Sequence, residues 1–180
     1  MDSKEPVIDV RIPWEPDRKL GLAFNRAMAT VDDWALILDH DVYLCHPDWY
    51  RICQKAIEQI GHHAGVITCV TNAIGCPLQR AHHDKIQDMN WHVDFAVSRY
   101  EQVGNRYDDV TDSQYRLSGL FFLTRRRVWN QIGPIPDDKF IGLDNWYDSR
   151  CREAGFRTYV LPGLYVYHGY RRFWSKAGAK

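Results

Sequence analysis

Asp39-His40-Asp41 is the stretch of this 180-residue chain whose residue types and spacing most directly offer chemistry. Two carboxylates one residue apart repel each other unless a cation joins them. Hard divalent cations such as Mg²⁺ or Mn²⁺ accept oxygen ligands and leave positions open for phosphate. The triplet alone is weak, because 18 Asp in 180 residues give about two D-x-D patterns by chance. Its setting adds weight. It comes after five apolar residues, Trp34 to Leu38, that read as a buried strand, and ligands of open α/β sheets sit beyond the carboxyl ends of strands. A solvated acidic turn capped by Asp39 also fits these residues.

Two further pieces lie far along the chain. In Phe140-Ile-Gly-Leu-Asp144-Asn145-Trp146, a glycine that permits close backbone approach precedes an acid opening a helix. Asp144 suits a base or, equally, a helix cap. His168 comes directly after the apolar segment Leu164 to Tyr167. It suits either a structural imidazole or a ligand for a borderline cation such as Mn²⁺.

The elements that must position these groups alternate between the two periodicities. Val7 to Ile12 reads as a short strand and Leu20 to Val31 as a helix with Leu20, Phe24, Ala27, Met28 and Val31 on one face. A second helix is expected from Pro47 to Ile60, stopped by Gly61. Gly65 to Val70 is a buried strand, Thr71 to Arg80 a loop and His82 to Val103 weakly helical. Asn105 to Arg116 is polar and expected to be a mobile loop. Leu117 to Leu123 is a strand, Arg125 to Ile132 a helix and Gly133 to Gly142 a loop. Asp144 to Ala154 is a helix ending at Gly155. Phe156 to Leu161 and Leu164 to Tyr167 are two short strands around Pro162-Gly163, and residues 169–180 form a tail. Such alternation predicts one α/β domain, a three-layer α/β/α sandwich around a mixed, mostly parallel sheet.

In this order the motifs resemble a glycosyltransferase of the GT-A fold, in the broad family-two and polypeptide-GalNAc-transferase-like group. The resemblance runs from Leu20 to Arg172. Leu20-Gly-Leu-Ala-Phe-Asn25 matches the L-G-x-A-x-N helix, and Trp34 to Val42 the D-x-D strand. Ser118-Gly119 to Gly133 matches a strand–helix unit. Gly142-Leu-Asp144-Asn145 resembles the G-x-[DE]-[DN] helix, Gly155-Phe156 its a-G-[fy] ending, and Val166-Tyr-His168 the closing v-x-H.

The resemblance implies transfer of a sugar from a nucleotide-diphosphate donor, a UDP-sugar foremost, to a hydroxyl of an unidentified glycan, protein or small molecule. It implies Mn²⁺ (or Mg²⁺) on Asp41 with Asp39 and His168, and Asp39 and His40 near the ribose. Asp144 becomes the base of an inverting enzyme or, in a retaining one, a holder of donor-sugar hydroxyls. Arg171, just past His168, is expected on phosphate, as are Arg18 and Lys19 before a helix N-terminus. Asn25 belongs to the motif on the nucleotide side. Family members carry a further βαβ unit before the L-G-x-A-x-N helix, where this chain has about nineteen residues. Either Val7 to Ile12 replaces its strand, with Pro13 and Trp14 lining the base pocket, or the nucleotide subsite is incomplete. In the second case a homodimer or an acceptor-bearing partner would complete it, or the chain is a nucleotide- or glycan-binding module without turnover.

Composition bounds the alternatives. Lys+Arg and Asp+Glu are 23 each, so no net field draws the chain to nucleic acid or membrane. No apolar run is long enough to span a bilayer, and Met-Asp-Ser-Lys-Glu-Pro does not lead into the apolar stretch of a signal peptide, so a cytoplasmic location is expected. Five cysteines without C-x-x-C spacing read as reduced, buried thiols. His62-His63 and His82-His83 lack zinc-ligand spacing. No G-x-x-x-x-G-K-[ST] cradle is present, which argues against other phosphoryl-transfer chemistry.

Overall fold

Trp34–Leu38 is apolar at every position, and all five side chains are buried. Only a strand covered on both faces can be so, and the remaining elements provide that cover. The structure is a computed structural model that describes residues 5–81 and 85–169. In chain order it contains β1 (Ile8–Arg11), α1 (Leu20–Ala29), β2 (Trp34–Leu38), β3 (Val42–Leu44), α2 (Trp49–Ile60) and β4 (Ala64–Thr71). Next come α3 (Met89–Val103), β5 (Asp108–Asp109), β6 (Phe121–Arg125), α4 (Arg126–Ile132), α5 (Leu143–Glu153) and β7 (Arg157–His168). The sheet order is β1-β2-β6-β4-β7-β3, with β5 also on β7. Parallel pairing of β1 with β2 and of β4 with β7, bridged by antiparallel β6, gives these four strands one direction; β3, β5 and β6 run against them. The sheet is therefore mixed, with most strands parallel.

Alternation along β2 divides the core. Trp34, Leu36 and Leu38 pack with the α2 side chains Ile52, Cys53, Ala56, Ile57 and Ile60. Ala35 and Ile37 face the other layer, with Phe24 and Met28 of α1, Val128 and Ile132 of α4, and Tyr147 and Cys151 of α5. Helix α2 has no side-chain cap at Asp48. A missing cap costs about 1 kcal/mol, whereas each buried isoleucine contributes about 2, so packing decides the helix. It starts two residues later than expected, and the amide of Asp48 just before it donates to His46 Nδ1 at 3.0 Å. All five cysteines are free and buried, and burial pushes Cys45 up to about 11 and Cys53 to about 12, which keeps them unreactive thiols.

Strand β6 and helix α3 begin later than expected, at Phe121 and Met89, and three further segments differ in kind from the sequence expectation. Strand β3 is too short, at three residues, to show a period. The polar stretch 105–116, read as a loop, carries β5 and is tied to α5. Arg152 donates to the carbonyls of Thr111, Ser113 and Tyr115 at 2.6, 2.8 and 3.1 Å. The two strands expected around Pro162-Gly163 are one strand, β7. Its partner β4 passes directly from Cys69, opposite Leu161, to Val70, opposite Tyr165, so three residues bulge out. The bulge fits against the end of α3: Arg99 Nε donates to Pro162 O at 2.5 Å, and a Cβ on Gly163 would collide with Gly104 O.

Helix α1 grips the loop that leads to α5. The amides of Gly21 and Leu22 donate to the carbonyls of Lys139 and Asp137. Asn25 brackets Ile135, its Nδ2 donating to Ile135 O at 2.7 Å and its Oδ1 accepting from Ile135 N at 3.0 Å. A Cβ on Gly21 would collide with the backbone at Pro136 O. Gly21→Ala and Asn25→Ala are each expected to cost about 2 kcal/mol in urea unfolding. A loss below about 0.5 kcal/mol in both would contradict this account of the L-G-x-A-x-N segment.

Candidate functional site

The chain leaves β2 at Leu38 and turns at once. Asp39 N donates to Leu120 O at 3.0 Å, extending the β2–β6 ladder by one bond, and Val42 N donates back to Asp39 O at 3.3 Å to close the turn. Strand β3 then pairs antiparallel with the end of β7, setting Val42 opposite His168, and Gly169 N donates to Asp41 O at 2.8 Å. This pairing brings His168 Nε2 to 3.3 Å from Asp41 Oδ1. One ligand atom each from Asp39, Asp41 and His168 lie within 4.8 Å of one another.

His168 is buried, and its backbone is held from both sides by the Asn72 side chain. His168 N donates to Asn72 Oδ1 at 2.7 Å and Asn72 Nδ2 donates to His168 O at 3.1 Å. The ring Nδ1 lies 3.2 Å from Ala73 O. A carbonyl only accepts, so Nδ1 carries the hydrogen and Nε2 is the atom turned to Asp41. Burial alone would lower the His168 pKa. The hydrogen bond and charge of Asp41, the Ala73 carbonyl and the charge of Asp39 outweigh it, and the value is raised. Burial likewise opposes ionisation of Asp41, but the His168 hydrogen bond and charge, with His40, hold it below the usual carboxylate range. Asp39 opens to solvent within a concave wall. Enclosure by that wall raises its pKa, the neighbouring carboxylates of Asp41 and Asp144 add to the rise, and His168 opposes it. Two carboxylates and an imidazole so placed are a donor set that suits a divalent cation.

The cluster lies in the wall of a cavity of about 760 Å³. Asp144, in the first turn of α5, lines the same cavity. Its Oδ2 accepts from Gly119 N at 3.2 Å, and its Oδ1 from Asn145 N at 2.9 Å. A glycine gives this approach room, since a Cβ at position 119 would lie 3.0 Å from Asp144 Cβ, closer than ordinary contact. Gly119 is the last of three successive amides taken by side chains. Leu117 N donates to Asp148 Oδ2 at 3.2 Å, and Ser118 N to Gln79 Oε1 at 2.7 Å. Gln79 Nε2 returns a bond to Ser118 O at 3.1 Å. Asp148 is fully buried and paired with Arg152 at 2.9 Å. The wall beside Asp144 is thus fixed by two residues that the sequence did not single out. Asp148 was traceable through its i,i+4 spacing to Arg152; nothing in the sequence marks Gln79.

Of the residues expected at a site, Pro13, Trp14, Arg18, Asp39, His40, Asp41, Asp144 and His168 line this one cavity. Asn25 does not. Its amide is spent on Ile135 and Asp137, and its oxygen also accepts from Trp129 Nε1 at 3.1 Å, so it is a clamp between helix and loop. At the N-terminus of α1 the Gly21 and Leu22 amides are not open to phosphate either, because they are already bonded. Asn72 holds His168 instead of reaching into the cavity. Trp91 and His92 pack against Phe95 and Tyr165. Arg125 forms a bidentate pair with Asp33, and Arg126 binds the carbonyls of Met28 and Ala29 in the last turn of α1 and of Val31 just after it. Arg171, His82 and His83 lie outside the described residues. Among the described residues no helix is long and apolar enough to cross a membrane.

A titration of His168 by imidazole NMR in metal-free protein checks the cluster's electrostatics. The expected pKa lies above the ordinary histidine value of about 6.5. Asp41→Asn removes the chief raising charge and leaves the burial, so the value must move down; an unchanged titration would contradict the geometry. Since the folded value is raised, the pairing stabilises metal-free protein below pH ~6.5 and this contribution is lost as pH rises through the folded value. No family model matches the chain, and no curated protein matches it.

Proposed function

We propose that the chain is a metal-dependent glycosyltransferase of GT-A type that moves a sugar from a nucleotide-diphosphate sugar, a UDP-sugar foremost, to an acceptor hydroxyl. The observation that carries this reading is the convergence of Asp39, Asp41 and His168 on the wall of a cavity that also holds Asp144. Asp41, Asp39 and His168 are the residues to hold Mn²⁺ or Mg²⁺, which when bound supplies positive charge against the departing diphosphate.

The residues of the chain do the rest. The glycosidic bond breaks with its electron pair going to the diphosphate oxygen, and the acceptor oxygen forms the new bond at the same carbon. In an inverting reaction Asp144 takes the acceptor proton on a carboxylate oxygen. Its two oxygens each accept one backbone amide, from Gly119 and Asn145, which fixes the carboxylate plane without supplying it a proton. In a retaining reaction the same fixed carboxylate holds hydroxyls of the donor sugar. Pro13 and Trp14 reach the cavity because β1 pairs parallel with β2 and ends beside it. They are the residues proposed to meet the base, with Asp39 and His40 toward the ribose.

A donor screen for nucleoside-diphosphate release tests the reading. Release is expected from one class of sugar nucleotide, abolished by chelation and restored by Mn²⁺. Asp41→Ala is expected to lower kcat/KM at least about 100-fold, and Asp144→Asn to lower kcat by a similar factor with donor binding retained. Metal-dependent nucleotide binding without release would mark the chain as a binding module. Neither release nor binding would reduce Asp39-His40-Asp41 to a capped turn.

A further inference from the structure

Arg18 has φ of 59°, and it is the one non-glycine residue with positive φ among those described. That region is unfavourable for any residue with a Cβ, and glycine occupies it freely. The backbone there asks for no arginine. Arg18 N donates to Glu15 O at 3.2 Å, closing a turn with Pro16 at its second position, and nothing in that bond involves the side chain. A strained residue kept where glycine would serve points to a use for its side chain.

The surroundings say what that use is. Arg18 lines the cavity together with Glu15, Asp39, Asp41 and Asp144. Glu15, the nearest of these acids in sequence, is already paired with Arg26 at 2.9 Å. No hydrogen bond or ion pair to another described residue engages the Arg18 guanidinium. His40 and His168 are the other basic residues of the lining, and neither offers the planar fork of donors that a guanidinium has. A diphosphate beside the carboxylates of Asp39, Asp41 and Asp144 leaves negative charge that a single dication does not balance, and a further cation offsets it. The amides of Gly21 and Leu22 in the first turn of α1 do not provide that offset, being bonded to Lys139 and Asp137.

We propose that Arg18 is the anion-binding residue of the cavity, held in a left-handed conformation so that its guanidinium meets the diphosphate of the donor. The proposal rests on the transferase reading of the same cavity and adds a contact beyond those of the Asp39–Asp41–His168 cluster. A planar fork of donors suits two phosphate oxygens at once, which a lysine would not match.

The test is calorimetric binding of inorganic pyrophosphate and of UDP to the full chain with Mn²⁺ present, comparing wild type with Arg18→Gly. Glycine relieves the backbone strain and adds chain entropy to the unfolded state, and these offset. The variant is therefore expected to melt within about 3 °C of wild type and to bind Mn²⁺ alone equally well. Both phosphate ligands are expected to bind it at least about tenfold more weakly. Unchanged affinity for both ligands in Arg18→Gly would overturn the role of Arg18 and leave the transferase reading standing. A large fall in melting temperature or in Mn²⁺ affinity would show a structural role and overturn it too. A wild type that binds neither ligand would overturn both.

Discussion

The short backbone pairing of β3 with the end of β7 is the interaction on which the site depends. Without it Asp39 and Asp41 are two like charges on an exposed turn. With it, Val42 stands opposite His168, and an imidazole from a strand 127 positions further on meets Asp41. The side-chain period of a strand is two, so a slip of one residue would turn the His168 ring to the opposite face of the sheet. Three residues of β3 are little to fix a register. Asn72 supplies what is missing by bonding both backbone groups of His168, and Gly169 adds a bond to Asp41 O beyond the strand's end. Burial of the histidine is tolerable because each polar atom has a partner.

The part of the cavity wall around Asp144 is built with the same economy of contacts. Helix α1 takes hold of residues 135–139 through Gly21, Leu22 and Asn25, and that loop runs on into α5 and Asp144. Residues 117–119 are pinned amide by amide to Asp148, Gln79 and Asp144, and the next carbonyl, Leu120 O, accepts from Asp39 N. The acid on α5 and the acidic turn after β2 are thereby linked through four consecutive residues. A shift of either group must strain that segment, which gives the separation of the proposed base and the proposed metal ligands a mechanical basis.

Much of this was legible in the sequence, for reasons particular to each element. The helix beginning at Leu20 and the strand Trp34–Leu38 show their periods over enough residues to be read, and β2 keeps the predicted boundaries. Aspartates at a strand's end and at a helix start, with a histidine after a last strand, were enough to nominate the residues that share the cavity. What sequence could not show is pairing between distant segments. Strand β3 is shorter than a period, β5 has two residues, and β7 hides its continuity behind Pro162-Gly163 because the bulge is stabilised by α3. Asn25 has the look of a ligand contact in the sequence, and Asn72 falls in the loop expected after the strand Gly65 to Val70. Asn side chains mimic a backbone amide, and in both cases they bond the main chain of a remote segment. Gln79 acts in the same way, and only the fold reveals it.

Pulsed electron paramagnetic resonance of Mn²⁺ bound to the wild-type chain and to His168→Ala addresses the central claim most directly. The account predicts a nitrogen coupling from one imidazole in the wild type that disappears in the variant, with weaker Mn²⁺ binding by Asp41→Ala as well. Mn²⁺ that stays fully hydrated in the presence of wild type, or a nitrogen coupling that survives removal of His168, would contradict it.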